Sequence, residues 1–439
     1  MDPRPRTLLE PAFGAVLRPF QVFFRLEAAS GILLLAAAAG ALVWANSPLA
    51  ASYASFFATP LSLRVGGLGF EVSLLQVVNE GLMSVFFFVV GLEVKREMAI
   101  GELSTPGKAA LPAVAGLGGM IVPAAVFAAV NAGGEGARGW GVPMATDIAF
   151  AVGALSLLRR RVPYALVVFV TALAIFDDIG GIVVIAVFYG HGLQPGWLAA
   201  AAGLAAVAAA MGRIYVRSGL AYAAAGAGLW WALHQAGIHA TLAGVVLGLA
   251  VPARPLRAAG EVLREICARA TRLAEEKGSD EELRGAGLLD IEERIEQLGS
   301  PLARFEHLLH PWVAFGVMPL FALANSGVSL AGLGPPDLAG PVALGVGLGL
   351  VLGKTAGVFG AAMLAVRLGI ATLPEGVSPA KLLGASILTG IGFTVALFIA
   401  ALAYADAPPL LAQAKLGILV GSLVAGVGGS LVLRGTRPV

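Results

Sequence analysis

The chain has 439 residues, of which 58% are hydrophobic and only 13% charged, with a formal net charge of +2. A soluble domain carries about 25% charged residues, so this composition excludes an ordinary soluble globule and points to an all-α polytopic membrane protein. The single cysteine, Cys267, excludes an internal disulfide and any cysteine-based metal cluster. Without Lys/Arg tracts interleaved with aromatics, nucleic acid is not an expected partner.

The basic, partly amphipathic stretch MDPRPRTLLEPAFGAVLRPFQVFFR comes first, and an apolar run from Ala28 to about Asn46 follows. That run exceeds the 7–15 apolar residues of a cleaved signal peptide and reads as a retained first helix. A spanning helix needs about 20 apolar residues. On that template twelve candidates follow in order, at roughly 28–46, 73–92, 109–130, 139–157, 163–189, 196–211, 219–233, 237–252, 308–325, 340–365, 382–403 and 411–432. Between the first two, segment 47–72 contains LSLRV and FEVSL around Gly66-Gly67, an alternation that predicts a small β-hairpin on the outer face. Its free edge suits pairing with a second copy. Segment 253–305 is rich in Arg and Glu and predicts one or two solvated amphipathic helices inserted on the cytoplasmic side. The chain thus divides into 1–252 (eight helices and the hairpin), the insertion 253–305, and 306–439 (four helices).

Charge sets the orientation. With the N-terminus in the cytoplasm and strict alternation, 25 of the 29 Lys/Arg fall on the cytoplasmic side. Arg64 and Arg138 remain outside, Lys415 lies near the outer boundary, and Lys354 lies within a helix. Both termini are therefore expected in the cytoplasm.

Four ionisable residues interrupt the apolar runs. Asp177 and Asp178 are adjacent in ALAIFDDIGGIVVIAVFY, Asp147 lies in GVPMATDIAFAVG, and Lys354 in GLVLGKTAG. A carboxylate at the bilayer centre costs about 2.5–3.5 kcal/mol, and such residues are functional by default. Three acids and one lysine offset one another's burial if they share a site. Pro143 precedes Asp147 by four residues and Thr146 adjoins it; proline breaks helical hydrogen bonding. LTGIGFTVALF carries a comparable weak point at Gly390, Gly392 and Thr394. Broken helices in corresponding positions of two halves mark a transporter's midplane site.

Carboxylates, a hydroxyl and loose carbonyls are hard oxygen ligands suited to Na⁺ or Li⁺. Successive helical residues point about 100° apart, so one of Asp177 and Asp178 can face a cation while the other turns to a lysine. A site that takes either a cation or protons couples their movements by competition, with no nucleotide and no cofactor. An intramembrane aspartyl protease also needs two membrane aspartates. Its Gly-x-Gly-Asp context is missing, however, and adjacent aspartates cannot flank a scissile bond. A passive cation channel is the third reading, distinguished by large currents independent of a pH gradient.

Other titratable groups lie at helix ends. Glu93 and Glu97 close the second helix in GLEVKRE; Glu306, His307 and His310 open the ninth in FEHLLHPW; His239 starts the eighth in GIHATLAG. Histidines titrate near physiological pH, so these are candidates for pH response.

The stretches GLMSVFFFVVGLEVKRE, GGMIVPA, GWGVPMATDIAFAVG, ALAIFDDIGGIVVIAVFY, GIHATLAGVVLG, EHLLHPWVAFGVMPLFALANSGVSL, GLVLGKTAG, ILTGIGFTVALFIA and AKLGILVGS run from about residue 20 to 432. Together they resemble the NhaA family of bacterial Na⁺/H⁺ antiporters, a family built on inverted repeats. The resemblance implies twelve helices with inverted-topology repeats (helices 3–5 against 10–12), discontinuous helices 4 and 11, and a periplasmic β-hairpin that builds a homodimer. It implies pH-regulated, electrogenic exchange of one Na⁺ or Li⁺ for two H⁺ across the bacterial inner membrane.

Carried over by position, Asp177 and Asp178 match the cation- and proton-binding pair, and Asp147 and Thr146 the support from the broken fourth helix. Lys354 matches the lysine that pairs with the first aspartate. Glu93, Glu97, Glu306, His307 and His310 match a cytoplasmic pH-responsive cluster, and His239 another residue linked to pH response. Two departures stand out. Segment 255–303 is longer than the compact loop expected there, and Asn79-Glu80 stands where the family carries Asn-Asp.

Overall fold

The computed structural model describes residues 29–65, 68–190, 192–257, 259–275, 290–291, 294–295, 298–329 and 340–438. The basic N-terminal stretch, Gly66-Gly67 and most of AEEKGSDEELRG lie outside them.

Helix α1 (Ala29–Ala45) turns through 114° into α2 (Ala50–Ala58). Strand β1 (Pro60–Val65) pairs antiparallel with β2 (Leu68–Ser73), Pro60 opposite Ser73 and Val65 opposite Leu68. The second strand begins two residues earlier than the alternation suggested and ends where α3 (Leu74–Ala99) starts. A capping box sets that end: Ser73 Oγ accepts from Gln76 N (3.2 Å) while Gln76 Oε1 accepts from Ser73 N (2.9 Å). A π-helical stretch, Val77–Leu82, lies inside α3.

The further elements are α4 (Pro106–Val130), a 3₁₀ segment Glu135–Met144, α5 (Ile148–Leu157), α6 (Tyr164–Phe188), α7 (Pro195–Arg213), α8 (Gly219–Gln235), α9 (Leu242–Ala250) and α10 (Ala259–Glu275). Then come α11 (Pro301–Asn325), α12 (Pro341–Arg367), α13 (Pro379–Leu388), α14 (Phe393–Ala403) and α15 (Pro408–Arg434).

Seven of these, α3, α4, α6, α7, α11, α12 and α15, are long and apolar enough to cross a membrane. Three bent pairs raise the number to as many as ten among the described residues: α1 with α2, the 3₁₀ segment with α5 (43°), and α13 with α14 (45°). Helix α9, with 9 residues, falls short of a straight crossing, and α8, with 17, lies at the lower limit for one.

The described chain forms two compact units. One holds the residues up to Leu82, Thr105–Tyr189 and those from Ala314 onward; the other holds Met83–Ser104 and the described part of Gly190–Val313. Between apolar helices in lipid, close backbone approach and van der Waals packing replace the hydrophobic effect as the source of association. In the first unit α4 and α12 meet at glycines. A Cβ on Gly118 would stand 2.3 Å from the Gly357 carbonyl oxygen, and one on Gly357 would stand 2.1 Å from that of Gly118. In the second unit the same device joins α3 to α9, where a Cβ on Gly244 would lie 2.1 Å from the Ser84 carbonyl oxygen. Leu92, Tyr222, Leu247, Val251, Leu302 and Phe305 fill that unit's core.

At the insertion, Arg257 grips Glu265 through both guanidinium nitrogens (Nη1–Oε2 2.9 Å) and Arg294 pairs with the same carboxylate. Arg269 and Arg294 pair with Asp290 at 3.2 and 3.1 Å. The hydrogen bond from Arg257 holds the Glu265 carboxyl below the usual carboxylate range.

Candidate functional site

The interrupted stretch between the 3₁₀ segment and α5 leaves Ala145–Asp147 non-helical, with Pro143 within the 3₁₀ run. Asp147 is the N-cap of α5, its Oδ1 accepting from Phe150 N at 3.3 Å. A second interruption, Thr389–Gly392, separates α13 from α14. The two breaks are stitched directly together. Asp147 N donates to the Ile391 carbonyl at 2.7 Å, and Asp147 Oδ2 accepts from Thr394 N at 3.1 Å and from the Thr394 hydroxyl. Phe150 and Phe393 meet edge to face just beyond, centroids 5.2 Å apart.

Asp177 and Asp178 project from the middle of α6, and Lys354 from α12 where a π-helical turn, Gly349–Gly353, ends. All the charges are sealed: relative exposure is 3% for Asp177, 8% for Asp178, 1% for Asp147 and 0% for Lys354. Lys354 Nζ lies 2.7 Å from Asp177 Oδ2 and also donates to the Met144 carbonyl. Asp178 stands within electrostatic reach of the same ammonium. Thr146 Oγ1 lies 2.8 Å from Asp177 Oδ2 and 2.9 Å from the Thr389 carbonyl. A hydroxyl has one hydrogen to donate, so only one of these acceptors receives it at a time. Asp177 Oδ1 has no hydrogen-bond partner among the described residues.

Of the five residues expected at the site, the structure therefore joins Thr146, Asp177 and Lys354 directly. It ties Asp147 to Thr394 and keeps Asp178 buried one helical step away. Sequence reasoning missed the backbone partners, the carbonyls of Met144, Thr389 and Ile391. It also passed over Gly116 and Gly119, which let helices pack closely beside the site: a Cβ on Gly119 would lie 2.7 Å from Val358 Cγ2 and one on Gly116 3.0 Å from Phe176 Cβ. Another buried polar pair was overlooked: Asn325 Nδ2 donates to Asn79 Oδ1 at 2.7 Å and to the Phe321 carbonyl at 3.1 Å.

The helix-end residues fall in the other unit. Arg96 pairs with Glu306 and with Glu97 (Nη2–Oε1 3.2 Å), and Glu93 adds its charge beside the same guanidinium. Glu97 Oε2 also accepts from Glu102 N at 3.0 Å. His307 is exposed and His310 half-buried on α11. His239 is half-buried in the turn before α9, its carbonyl accepting from Leu242 N at 3.1 Å. No group of three or more His, Cys, Asp or Glu able to hold a metal ion occurs among the described residues.

Two helix breaks hydrogen-bonded to each other beside buried carboxylates and a buried lysine are a membrane transporter's features rather than an enzyme's. A family model described as "Na⁺/H⁺ antiporter 1" matches residues 21–433. A Na(+)/H(+) antiporter NhaA from Anaeromyxobacter sp. (strain Fw109-5) is 61% identical over 435 residues, covering 99% of this chain and 95% of the relative. The Na(+)/H(+) antiporter NhaA 1 of Myxococcus xanthus (strain DK1622) is 53% identical over 433 residues, covering 99% and 96%. The chain belongs to the NhaA family of Na⁺/H⁺ antiporters.

Proposed function

We propose that this chain is a secondary active antiporter of a bacterial inner membrane, expelling Na⁺ or Li⁺ in exchange for H⁺. One cation leaves for two protons, so the cycle is electrogenic. The observation that carries the reading is the half-satisfied carboxylate of Asp177. One oxygen takes Lys354 and Thr146; the other is buried without a hydrogen-bond partner among the described residues. A fully buried ionised acid needs compensation on both oxygens, and a bound cation or a proton supplies what is lacking.

Asp178, with Asp147 and Thr146 nearby, holds the cation through hard oxygens. Asp177 exchanges its partner between Lys354 and a proton as the cation comes and goes. Cation and protons compete for the same acids, so the binding of one releases the other. Alternating access to the two faces then turns a proton gradient into cation efflux.

Twelve spans with both termini in the cytoplasm accommodate this cycle. Helices 3–5 would be the inverted counterpart of helices 10–12, with the two interruptions as their matching centres. In this arrangement the β1–β2 hairpin faces the periplasm and pairs with a second copy. Glu93, Glu97, Glu306, His307 and His310, together with His239, adjust activity to pH. The gathering of Glu93, Glu97 and Glu306 around the Arg96 guanidinium supports that role.

The test is a fluorescence assay in everted vesicles holding an acid-inside gradient. Addition of Na⁺ or Li⁺ collapses the gradient in the wild type. Asp178→Asn abolishes the response while membrane content stays unchanged. Normal exchange by that variant would sink the site assignment, and a current independent of the pH gradient would favour a channel instead.

A further inference from the structure

Glu135–Met144 is a run of ten residues in 3₁₀ conformation. Such runs rarely exceed about four residues, because their hydrogen bonds are poorly aligned. Something outside the segment must hold it, and two buried tyrosines do. The Tyr404 hydroxyl donates to the Gly136 carbonyl at 2.6 Å and packs against Gly139. The Tyr189 hydroxyl donates to the Arg138 carbonyl at 2.9 Å and packs against Gly141.

With three residues per 3₁₀ turn, residues i and i+3 stack on one edge. Tyr404 therefore grips one edge, 136 and 139, and Tyr189 the adjacent edge, 138 and 141. Glycine admits them: a Cβ on Gly139 would stand 2.1 Å from the Tyr404 hydroxyl, and one on Gly141 3.1 Å from that of Tyr189. Met144 stacks on the second edge, and its carbonyl receives Lys354. Thr146 and Asp147 follow at once.

We infer that Tyr189 and Tyr404 are positioning residues for cation binding. They fix the 3₁₀ segment and thereby set where the Met144 carbonyl, Thr146 and Asp147 meet Asp177 and Lys354. The role rests on the antiport reading given above. Tyr189 belongs to the end of α6, the helix that bears Asp177, and Tyr404 to the end of α14, the helix that holds Asp147 through Thr394. The same two helices thus support the segment at both ends.

The test removes only the hydroxyls, in Tyr404→Phe, Tyr189→Phe and the double variant. Na⁺ titration in everted vesicles should show KM for Na⁺ raised about threefold to tenfold per hydroxyl, with a smaller change in rate at saturating Na⁺. Amide exchange of the full-length protein in detergent should quicken across Glu135–Met144 and stay unchanged in α15. Wild-type KM together with wild-type protection overturns the proposal, as does a lower maximal rate at unchanged KM. If a phenylalanine variant fails to insert, Gly141→Ala crowds the Tyr189 hydroxyl with both tyrosines present, and the same readouts apply. Amide exchange on an Asp178→Asn background reports on the clamp even if the chain exchanges no cations. Failure of the clamp and failure of the antiport reading are thus separable.

Discussion

Lys354 Nζ and Asp177 Oδ2 are 2.7 Å apart with neither side chain exposed to solvent. An ion pair so buried is held by geometry rather than by net gain, since desolvation consumes most of the Coulombic attraction. Its members depend on each other. Lys354→Gln alone strands the Asp177 charge and should lower stability by about 3–5 kcal/mol, seen as a fall in thermal unfolding temperature in detergent. Combining Lys354→Gln with Asp177→Asn removes both charges and should restore most of that loss while exchange stays absent. Equal unfolding temperatures for the single and double variants would show that the pair is not coupled.

The Thr394 hydroxyl and Asp147 join the two helical breaks. Thr394→Val keeps the shape and removes the donor. Hydrogen bonds to charged groups contribute about 1.5–3 kcal/mol, so the KM for Li⁺ or Na⁺ should rise about tenfold or more. Thr394→Ser should recover most of the affinity. A valine variant with unchanged KM would mean that the Thr394 backbone N–H alone suffices.

At the α4–α12 crossing, Gly118→Ala or Gly357→Ala drives a methyl into a backbone carbonyl oxygen. Neither carbonyl is the end of a flexible side chain, so the helices must separate. The expected result is loss of monodisperse protein on size-exclusion chromatography. Gly360→Ala in α12, where a Cβ meets open space, should be tolerated. Similar behaviour of all three variants would refute the close packing.

Glu265 gives a pH prediction. Its folded-state pKa is depressed by Arg257 and Arg294, so its contribution is complete above the unfolded value of about 4.3. That contribution is lost as pH falls through the lower folded value. Amide exchange in α10, corrected for the intrinsic rate, should rise below about pH 4 and change little between pH 6 and 8. Glu265→Gln should flatten that acid response.

The charged part of the site was legible because a carboxylate or lysine within an apolar run is costly to insert and is seldom kept there without a function. Asp147, Asp177, Asp178 and Lys354 all stood out for that reason, and Pro143, Gly390 and Gly392 located the breaks. The partners were not legible. Met144, Thr389 and Ile391 act through backbone carbonyls, which every residue owns, so nothing in their side chains marks them. Tyr189 and Tyr404 sit at helix ends, where tyrosine is commonplace in membrane proteins. The length of the 3₁₀ segment was hidden as well, since its stability comes from those two distant rings. Asn79 and Asn325 are 246 residues apart, and their pairing depends on tertiary structure alone. Strand β2 ends one residue earlier than the alternation suggested because Ser73 and Gln76 form a cap, a signal stronger than the alternation beyond it.

The Gly118–Gly357 approach has a dynamic consequence. Two backbones seated this closely have no side chains between them to act as a sliding layer, and any shift of α12 along α4 would drive a carbonyl of one helix into the backbone of the other. The two helices therefore move as one rigid piece. Lys354, alongside Gly119, is thereby fixed in place relative to α4. Under the antiport cycle proposed above, the ammonium would be the fixed reference and the short half-helices at the breaks the parts that shift against it.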